Sequence, residues 1–424
     1  MDSSRLKNID RFLGTPLIVL LGAWEWVRRL LSPARRRRGF DLSAPRRIAI
    51  VKTVAIGDVV QALPTVKALR GRFPHAHITF IVTPRVREVV EGLPFVDEVR
   101  YFDVFGAHGG ISGVVRFARE LRAQHYDMWI ELEHYYRFTT ILGYLSGAPV
   151  RVGFSIPGQV RRFLFTITAP YPTQKHELES FLSIARVLGA CVEGASPVPI
   201  PASEDDARVA REWLAGAGAA LPAAQRERGI VILHTTTSPI AVSRRWSADR
   251  WIELADRIAE RYGLTAVFTG APDEAADLRA LASRTAQPSL VSAGALTLRQ
   301  FSVLAGQARL MVSVDTGPLH VAAATGVPIV ALFGPGDPRK WRPYGPGNAV
   351  VRAGLACSPC STHYTGRISR KTCDDCMRAI SVEDVLHAIE SLPKGPPPLS
   401  PAGDAGAAHV VGQVGRLAGK DEAK

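Results

Sequence analysis

The stretch that most constrains the fold runs over residues 312–334 and reads VSVDTGPLHVAAATGVPIVALFG. An apolar strand-like run breaks at Asp315-Thr316-Gly317, a small-residue helix pattern follows from Pro318, and a second apolar run closes the stretch. Pro318 suits the first position of a helix, where no backbone N–H is needed. The free N–H groups of Thr316 and Gly317, with the positive end of the helix dipole, then form a site for a phosphate or diphosphate.

Two further side chains belong to this predicted anion site. His320 lies one turn into the helix, and we expect it to face the same side as the turn. Asp315 ends the strand and has two compatible interpretations, as part of the site or as the N-cap of the helix.

The rest of the chain alternates strand and helix patterns, which predicts parallel sheets covered on both faces. One series begins at residue 46 and a second at residue 229. Between them, residues 193–206 carry three prolines and no periodicity, as expected of a linker. The pattern predicts an α/β protein with two Rossmann-like doubly wound domains facing a central cleft. The predicted segments are an N-terminal acceptor-binding domain at 46–195, a linker at 196–206, a C-terminal nucleotide-sugar-binding domain at 207–392 and a disordered tail, rich in Pro, Gly and Ala, at 393–424.

Charge is concentrated before the first domain. Lys and Arg exceed Asp and Glu by 13 in the whole chain, and residues 1–47 hold eleven basic against four acidic residues. The apolar stretch 12–24 is shorter than the roughly 20 residues that a membrane-crossing helix needs. Trp24, Trp26 and the arginines that follow are typical of an interfacial anchor on anionic lipid. We therefore predict that residues 1–45 form a basic amphipathic membrane-surface anchor. The alternative is a packed N-terminal helix followed by a solvated basic linker.

In open α/β sheets the ligand lies beyond the carboxyl ends of the strands, so the turns that follow strands are the candidate sites. Asp58, in VAIGDVVQALP (54–64), follows the first strand. It is a candidate general base for a substrate hydroxyl. It is equally a candidate helix cap, because Asp is among the best capping residues. Pro64 predicts that the helix after this turn kinks or starts late.

The second series supplies candidate donor-binding residues in two turns. Thr236 and Thr237 follow a strand and offer hydroxyl and N–H groups. Arg244 and Arg245 carry guanidinium groups that match phosphate oxygens in pairs. Glu274, after the next strand, is a weaker candidate for accepting hydrogen bonds from ribose hydroxyls.

Together these motifs resemble the heptosyltransferases of lipopolysaccharide core synthesis, glycosyltransferase family 9, which has the GT-B fold. The resemblance covers roughly residues 46–392. It depends on five segments, IGDVVQALPTVKALRGRFPHAHITFIV, RRWSADRW, GAPDE, VDTGPLHVAAATGVPIVALFGPGDP and the downstream WRPYG…CSPC. It implies an inverting enzyme that moves a heptose or related sugar from an ADP-sugar to a hydroxyl of a lipopolysaccharide core or other lipid-linked acceptor. It implies no required cofactor and a place in the cytoplasm, at the inner face of the bacterial inner membrane.

The resemblance also implies roles for individual residues. Asp58 matches the family's proposed general base, and Glu274 matches the acidic residue that holds the nucleoside. The diphosphate-binding turn is matched by Asp315, Thr316, Gly317 and His320, and the phosphate-contacting threonines by Thr236 and Thr237. One departure is Arg244-Arg245-Trp246, where the family usually has Lys-x-Trp, so the charge is kept and its geometry changes.

Two alternatives stay open at this point. One is a GT-B enzyme that uses another nucleotide sugar such as a UDP-sugar. The other is a non-catalytic nucleotide-binding Rossmann module, although no G-x-G-x-x-G motif opens either domain. We find no zinc-finger, RNA-recognition or helix-turn-helix signature and expect no nucleic-acid partner.

Four cysteines near the end of the second domain form two C-x2-C pairs. Cys357 and Cys360 are separated by twelve residues from Cys373 and Cys376, and Cys191 stands apart. This spacing fits a structural zinc bound by four thiolates. Reduced thiols and disulfides are the alternatives, and disulfides are disfavoured in a reducing compartment.

Overall fold

The computed structural model describes residues 3–31, 42, 44–239, 241–361 and 373–393. These residues contain two six-stranded sheets in which every pairing of strands is parallel. The first sheet consists of β1 (Arg47–Val51), β2 (His77–Val82), β3 (Glu98–Tyr101), β4 (Met128–Glu131), β5 (Val150–Ser155) and β6 (Ile167–Pro170). The second consists of β7 (Ile230–His234), β8 (Thr265–Thr269), β9 (Ser289–Val291), β10 (Leu310–Val314), β11 (Ile329–Leu332) and β12 (Asn348–Val351).

Both sheets have the same topology. The strand order is β3-β2-β1-β4-β5-β6 in the first and, from the other edge, β9-β8-β7-β10-β11-β12 in the second. In each sheet the order reverses beside the first strand, between β1 and β4 and between β7 and β10. Ligands of such folds bind in the crevice beyond the strand ends at this switch point. The predicted α/β architecture with two Rossmann-like domains is confirmed, and the fold places candidate sites after β1, β4, β7 and β10.

Helices lie between the strands and cover the sheets. The innermost strands are apolar on both faces, and β7 and β10 are buried along their whole length, as expected where helices cover both sides. The helices are α1 (Ser3–Leu31), α2 (Ile56–Arg72), α3 (Arg87–Val90), α4 (Gly110–Ala123), α5 (Arg137–Leu145), α6 (Glu177–Val187), α7 (Glu204–Ala217), α8 (Ala223–Arg228), α9 (Ala248–Tyr262), α10 (Ala275–Ala282), α11 (Leu298–Gln307), α12 (Gly317–Ala323), α13 (Pro338–Trp341), α14 (Asp375–Arg378) and α15 (Val382–Glu390).

The expectation that α2 starts late because of Pro64 is wrong. The helix begins at Ile56, before Asp58, and continues past Pro64 to Arg72. Ala55 is the N-cap residue, and the Asp58 carboxylate accepts a hydrogen bond from its backbone N–H. This capping interaction fixes the first turn, so the helix starts directly after the turn that follows β1.

The connection between the two sheets contains a segment without helix or strand between Val187 and Glu204. Ser203 then caps α7, its side chain accepting a hydrogen bond from the N–H of Asp206. The prolines of this segment lie where the sequence predicts the linker, and the exact domain boundaries stay a prediction. Of the predicted disordered tail, only residue 393 is described; 394–424 lie outside the described residues.

The N-terminal helix α1 packs on the first domain, against α5 and the short 3-10 helix Val160–Leu164. Asp10 accepts hydrogen bonds from the backbone N–H groups of Arg137 and Phe138, so its carboxylate caps the start of α5. No helix in the described part of the chain has both the length and the apolar character needed to cross a bilayer.

Candidate active site

The first half of the crevice centres on Asp58, in the first turn of α2. Its Oδ2 accepts the N–H of Ala55 at 3.2 Å, and its Oδ1 lies 3.8 Å from Nζ of Lys52. The side chain is 19% exposed. The N-cap residue is Ala55, so the prediction of Asp58 as the N-cap is wrong; its carboxylate instead caps the helix from the third helical position, and it stays partly exposed. The capping interpretation and a chemical role are compatible at this position.

Lys52 lies close to Asp58, and Glu133 pairs with Lys52. Lys52 follows β1 and Glu133 follows β4, so the neighbouring strand ends bring them together. Both side chains are buried, and Nζ of Lys52 lies 3.2 Å from Oε2 of Glu133. Lys52 also donates to the carbonyl of Val54, and Thr53 Oγ1 donates to Glu133 Oε2 at 3.1 Å. The ammonium group thus lies between two carboxylates at the switch point of the first sheet.

The electrostatics of this cluster raise the pKa of Asp58 to about 6. Burial is the main cause, the Lys52 ammonium opposes it, and the Glu177 and Glu133 carboxylates add to it. Burial alone would lower the pKa of Lys52, but the adjacent Asp58 and Glu133 carboxylates outweigh it, so that pKa is raised. At neutral pH Lys52 is a cation, and Asp58 is a carboxylate able to take up a proton.

The second half of the crevice begins with Asp315 at the end of β10. Its buried carboxylate lies 3.1 Å from Nη1 of Arg244, and the same nitrogen donates to the Asp315 carbonyl at 3.2 Å. Burial raises the pKa of Asp315, and the Arg244 guanidinium opposes the rise. The N-cap of α12 is Thr316, so the N-cap interpretation of Asp315 is wrong. Asp315 instead positions Arg244 beside the turn that contains Thr316 and Gly317.

The turn after β7 carries the threonines and the second arginine. Arg245 donates from Nε to Thr237 Oγ1 at 3.3 Å and from Nη2 to the Thr237 carbonyl at 3.4 Å. Thr237 Oγ1 in turn donates to the carbonyl of Ala241 at 3.1 Å. Thr236 is half-buried between these anchored residues and the strand end. Arg245 therefore holds the shape of this turn, whereas Arg244 reaches across to β10.

Glu274 lies further along the same edge, after β8. Its Oε2 accepts the N–H of Ala271 at 2.7 Å, which fixes the turn that leads into α10. This capping interaction uses one of the two carboxylate oxygens. The Glu274 side chain is only half-buried, so the turn is partly open to solvent.

The starts of α2 and α12 meet across the crevice. A Cβ atom added at Gly57 would lie 2.6 Å from Cδ2 of His320 and 3.4 Å from Cα of Gly317. Gln61 Nε2 lies 3.0 Å from Nδ1 of His320. Burial lowers the pKa of His320 to about 3, with His176 and Arg244 adding to the effect, so the imidazole is neutral. His320 thus contacts the opposite domain, a placement that the sequence pattern did not predict.

A buried polar cluster continues from Glu133 to the far side of the crevice. Glu177 Oε2 accepts from Tyr171 Oη at 2.6 Å and pairs with Nζ of Lys340 at 3.1 Å. Lys340 comes from α13 of the second domain, yet its ammonium also donates to the Pro172 carbonyl and to Ser180 Oγ of the first. Burial lowers the pKa of Lys340, and Glu177 opposes this. The two domains therefore share a fully buried ion pair.

The structure brings most of the predicted site residues to one crevice. Gly57, next to Asp58 in the first domain, lies against Gly317 and His320 of the second. Thr236, Arg244 and Glu274 lie in the turns that follow β7 and β8, neighbouring strands of the second sheet. The sequence interpretation missed four buried charged residues, Lys52, Glu133, Glu177 and Lys340. The signal for the first two was present, because charged residues interrupt or end otherwise apolar strands in IAIVKT and MWIELE.

The predicted zinc site is not confirmed. All five cysteines are free, and no group of three or more His, Cys, Asp or Glu side chains in the described ranges is arranged to hold a metal ion. Residues 362–372, which connect the two C-x2-C pairs, lie outside the described residues. Free cysteines speak against disulfides among these residues. A structural zinc at Cys357, Cys360, Cys373 and Cys376 and reduced thiols both stay open.

Two domains, each built on a parallel six-stranded sheet, have the architecture of the GT-B class of glycosyltransferases. The family model for glycosyltransferase family 9 (heptosyltransferase) matches residues 114–366, more than half of the chain. The chain belongs to glycosyltransferase family 9.

Individual relatives agree with this assignment. Lipopolysaccharide heptosyltransferase 1 of Pseudomonas aeruginosa is 29% identical over 327 residues, which cover 74% of this chain and 86% of that protein. A family 9 glycosyltransferase structure from Veillonella parvula superposes with a TM-score of 0.71 at 26% identity, covering 84% of this chain and 98% of that one. Escherichia coli heptosyltransferase WaaC with ADP-2-deoxy-2-fluoro heptose superposes with a TM-score of 0.59 at 20% identity, covering 81% and 99%.

Proposed function

We propose that this enzyme is an inverting heptosyltransferase that moves heptose from ADP-heptose to a hydroxyl group of a lipopolysaccharide core or other lipid-linked acceptor. Membership of family 9 and the names of the relatives support the sugar and the acceptor class. The observation that carries the proposal is the placement of Asp58. Its carboxylate, with a pKa of about 6, lies next to Gly57, which contacts the donor-side turn at Gly317 and His320.

On the donor side, the diphosphate occupies the turns after β7 and β10. The N–H groups of Thr316 and Gly317 and the guanidinium group of Arg244 face the leaving group, with Thr236 beside them. As the bond from sugar to phosphate breaks, negative charge grows on the diphosphate, and these fixed groups stabilise it. Asp315 holds Arg244 in place before the donor arrives, which limits reorganisation during the reaction.

Two helix starts meet at this point, which favours an anion between the domains. The first turns of α2 and α12 contact each other at Gly57 and Gly317. Partial positive charge from both helix ends converges there, and a bound diphosphate would neutralise it. Glu274, on the same edge, is the proposed contact for the ribose hydroxyls.

On the acceptor side, Asp58 is the general base. The acceptor hydroxyl attacks the anomeric carbon from the face opposite the leaving diphosphate, and Asp58 Oδ1 takes its proton. Lys52 keeps Asp58 ionised at neutral pH despite burial, and Glu133 and Glu177 keep its proton affinity high enough for the task. The reaction inverts the configuration at the anomeric carbon because a single displacement occurs.

We also propose that the enzyme acts at a membrane surface, because its acceptor is lipid-linked. The exposed apolar side chains of α1 and the basic N-terminal segment support this location. In this proposal the body of the enzyme stays on the side of the membrane where the nucleotide sugar is available.

The proposal is tested by Asp58→Asn. We expect turnover of ADP-heptose with acceptor to fall by about 100-fold or more, because the amide cannot take the proton. The amide oxygen can still accept the N–H of Ala55, so the helix start should remain intact. Thermal unfolding and ADP binding of the variant are measured together with its activity, as controls for folding and for the donor site. Unchanged turnover would remove Asp58 from the mechanism.

The nucleotide is tested separately by the shift of the thermal unfolding midpoint. ADP should stabilise the wild type, and Arg244→Ala should weaken this shift, since the guanidinium group contacts the diphosphate. Stabilisation by UDP and not by ADP would favour the alternative donor, a UDP-sugar. No stabilisation by either nucleotide would contradict a donor site in these turns.

A further inference from the structure

One stripe of α1 attaches this helix to the first domain. Asp10 caps α5, Gly14 packs so closely that an added Cβ would lie 2.8 Å from Cβ of Arg137, and Ile18 is fully buried. A Cβ at Gly22 would lie 3.0 Å from Cβ of Phe163. Positions four apart share one face of a helix. This stripe therefore fixes the orientation of α1 relative to the enzyme body.

Between residues 12 and 31, the part of α1 away from this stripe exposes large apolar side chains. Between residues 12 and 27 the only charged residue is Glu25. Glu25 belongs to the attached side, where it accepts a weak hydrogen bond from Tyr144 Oη at 3.5 Å. The large apolar side chains of α1 that are 37–78% exposed are Phe12, Leu13, Leu17, Val19, Leu20, Trp24, Trp26, Val27, Leu30 and Leu31.

A layer of the first domain, formed by α4, α5 and the segments next to them, also exposes apolar side chains. Helix α5 packs on α1 and on α4, and both α4 and α5 cover the same face of the first sheet through Phe117, Leu121 and Leu142. Five more exposed large apolar side chains belong to this layer, namely Phe105, Ile111, Val115, Leu145 and Phe163. Among the described side chains, only Val187 and Val242 are large, apolar and exposed outside α1 and this layer. We call α1 and these five side chains the apolar face.

We infer that the apolar face is a rigid docking surface for an anionic lipid bilayer, with α1 lying in the plane of the interface. Trp24 and Trp26 are exposed where the apolar run ends, the position that indole rings take at membrane interfaces. Arg28 follows them, and the sequence continues with the run Arg35 to Arg38, which matches anionic headgroups. A protein partner would be expected to meet a polar rim, whereas the exposed positions from 12 to 27 carry no charge.

Docking through this face would orient the crevice. Residue 137, where α5 begins, is four residues beyond Glu133 at the end of β4, and Asp10 of α1 caps that helix start. The acceptor half of the crevice therefore lies next to the docking surface. A lipid-linked acceptor could keep its acyl chains in the bilayer while its sugar reaches Asp58. This consequence depends on the proposed function, whereas lipid binding itself does not.

The test is sedimentation of the full chain with sucrose-loaded vesicles, made of phosphatidylethanolamine and phosphatidylcholine with or without phosphatidylglycerol. We expect binding that phosphatidylglycerol strengthens and that added salt weakens. Trp24→Gln with Trp26→Gln should lower the partition coefficient by about 10-fold or more, because interfacial apolar area is lost. The double variant Ile111→Gln/Phe163→Gln, in which the sequence of α1 is unchanged, should also lower the partition coefficient. Val187→Gln, an exposed apolar residue outside the apolar face, is the matched control and should bind as wild type.

The outcomes separate the possible occupants. Absence of vesicle binding by the wild type overturns the inference, and so does a dimer without lipid that the tryptophan substitutions dissociate. Unchanged binding of the Ile111/Phe163 variant would restrict docking to α1 and overturn the extended surface. ADP-dependent thermal shifts and activity on a water-soluble acceptor should be unchanged in all three variants. Failure of lipid binding is thereby distinguishable from failure of the proposed reaction.

Discussion

At the scale of the residue, the reactivity of the site depends on the charges that surround one carboxylate. Asp58 lies 3.8 Å from the Lys52 ammonium, and Lys52 lies 3.2 Å from Glu133. The cation lowers the pKa of Asp58, and the second carboxylate raises it. Removing Lys52 should therefore raise the pKa of Asp58, and removing Glu133 should lower it.

This opposition predicts the pH dependence of the enzyme. A general base acts in its ionised form, so kcat/KM should fall as the pH drops below about 6. Lys52→Met removes a positive charge and should move this acid limb to higher pH. Glu133→Gln removes a negative charge and should move it to lower pH. The measurement is kcat/KM between about pH 4 and about pH 8, which covers roughly two units on either side of that pKa.

Stability measurements control for damage to the cluster. Lys52→Met leaves Glu133 buried without its partner, which typically costs about 3–5 kcal/mol of unfolding free energy. The double variant Lys52→Met/Glu133→Gln should recover part of that loss, so its acid limb can be compared with that of Glu133→Gln alone. Limbs that do not move, or that move in the same direction, would contradict the electrostatic account.

Some of these residues could be predicted from sequence and others could not. Asp315 directly follows β10 and Asp58 lies in the first turn of the helix after β1, so position along the chain places both at the crevice. Lys52 and Glu133 are 81 positions apart, and only the pairing of β1 with β4 brings them together. The contact of His320 with Gln61 likewise spans 259 positions. Contacts between distant segments depend on topology and domain packing, which a local pattern does not contain.

At the scale of the element, the starts of α2 and α12 must approach closely for base and donor to meet. Glycine occupies both contact positions, and an added Cβ at Gly317 would lie 3.2 Å from Cβ of Ile56. The sequence correctly placed both turns after strands. It did not predict that α2 begins at Ile56 in spite of Pro64, because the hydrogen bond from Ala55 to Asp58 depends on side-chain geometry.

We predict that Gly57→Ala separates these helix starts. Its Cβ would lie 2.6 Å from Cδ2 of His320, a distance that real contacts do not allow, so the domains or the imidazole must move. A displacement of about 1 Å between base and donor can reduce turnover by about 100-fold. The measurement is kcat with ADP-heptose and acceptor.

Gly71→Ala in the same helix is the matched control. No atom lies within 4 Å of the position that its Cβ would take, and Gly71 is near the end of α2 and far from the crevice. Alanine there should raise the unfolding free energy by roughly 0.5–1 kcal/mol and leave kcat unchanged. Equal activity of the two variants would show that the approach at Gly57 is not needed for turnover.

At the scale of the whole molecule, polar contacts join two domains that the alternating pattern predicts as separate units. Glu88 of α3 accepts the N–H of Leu298 at 2.7 Å and so caps α11 of the other domain, while Arg299 donates back to the Glu88 carbonyl at 3.0 Å. His176 Nε2 donates to the Arg342 carbonyl at 2.8 Å. The ion pair between Lys340 and Glu177 is a further contact between the domains, and both of its side chains are fully buried. These contacts bring the two halves of the crevice together.

The last prediction concerns this buried ion pair. Lys340→Met leaves Glu177 without its cation in a site with no solvent exposure, which should cost about 3–5 kcal/mol of unfolding free energy. The matched control is Arg257→Met, which breaks a pair with the same 3.1 Å separation at the surface, where the expected cost is about 0–1 kcal/mol. Lys340→Met/Glu177→Gln should recover much of the loss, because no buried charge is left uncompensated. Denaturant unfolding with a separate probe in each domain measures both stability and coupling. We expect the two transitions to separate in Lys340→Met and to coincide in Arg257→Met. Coincident transitions in Lys340→Met would show that the pair does not couple the domains.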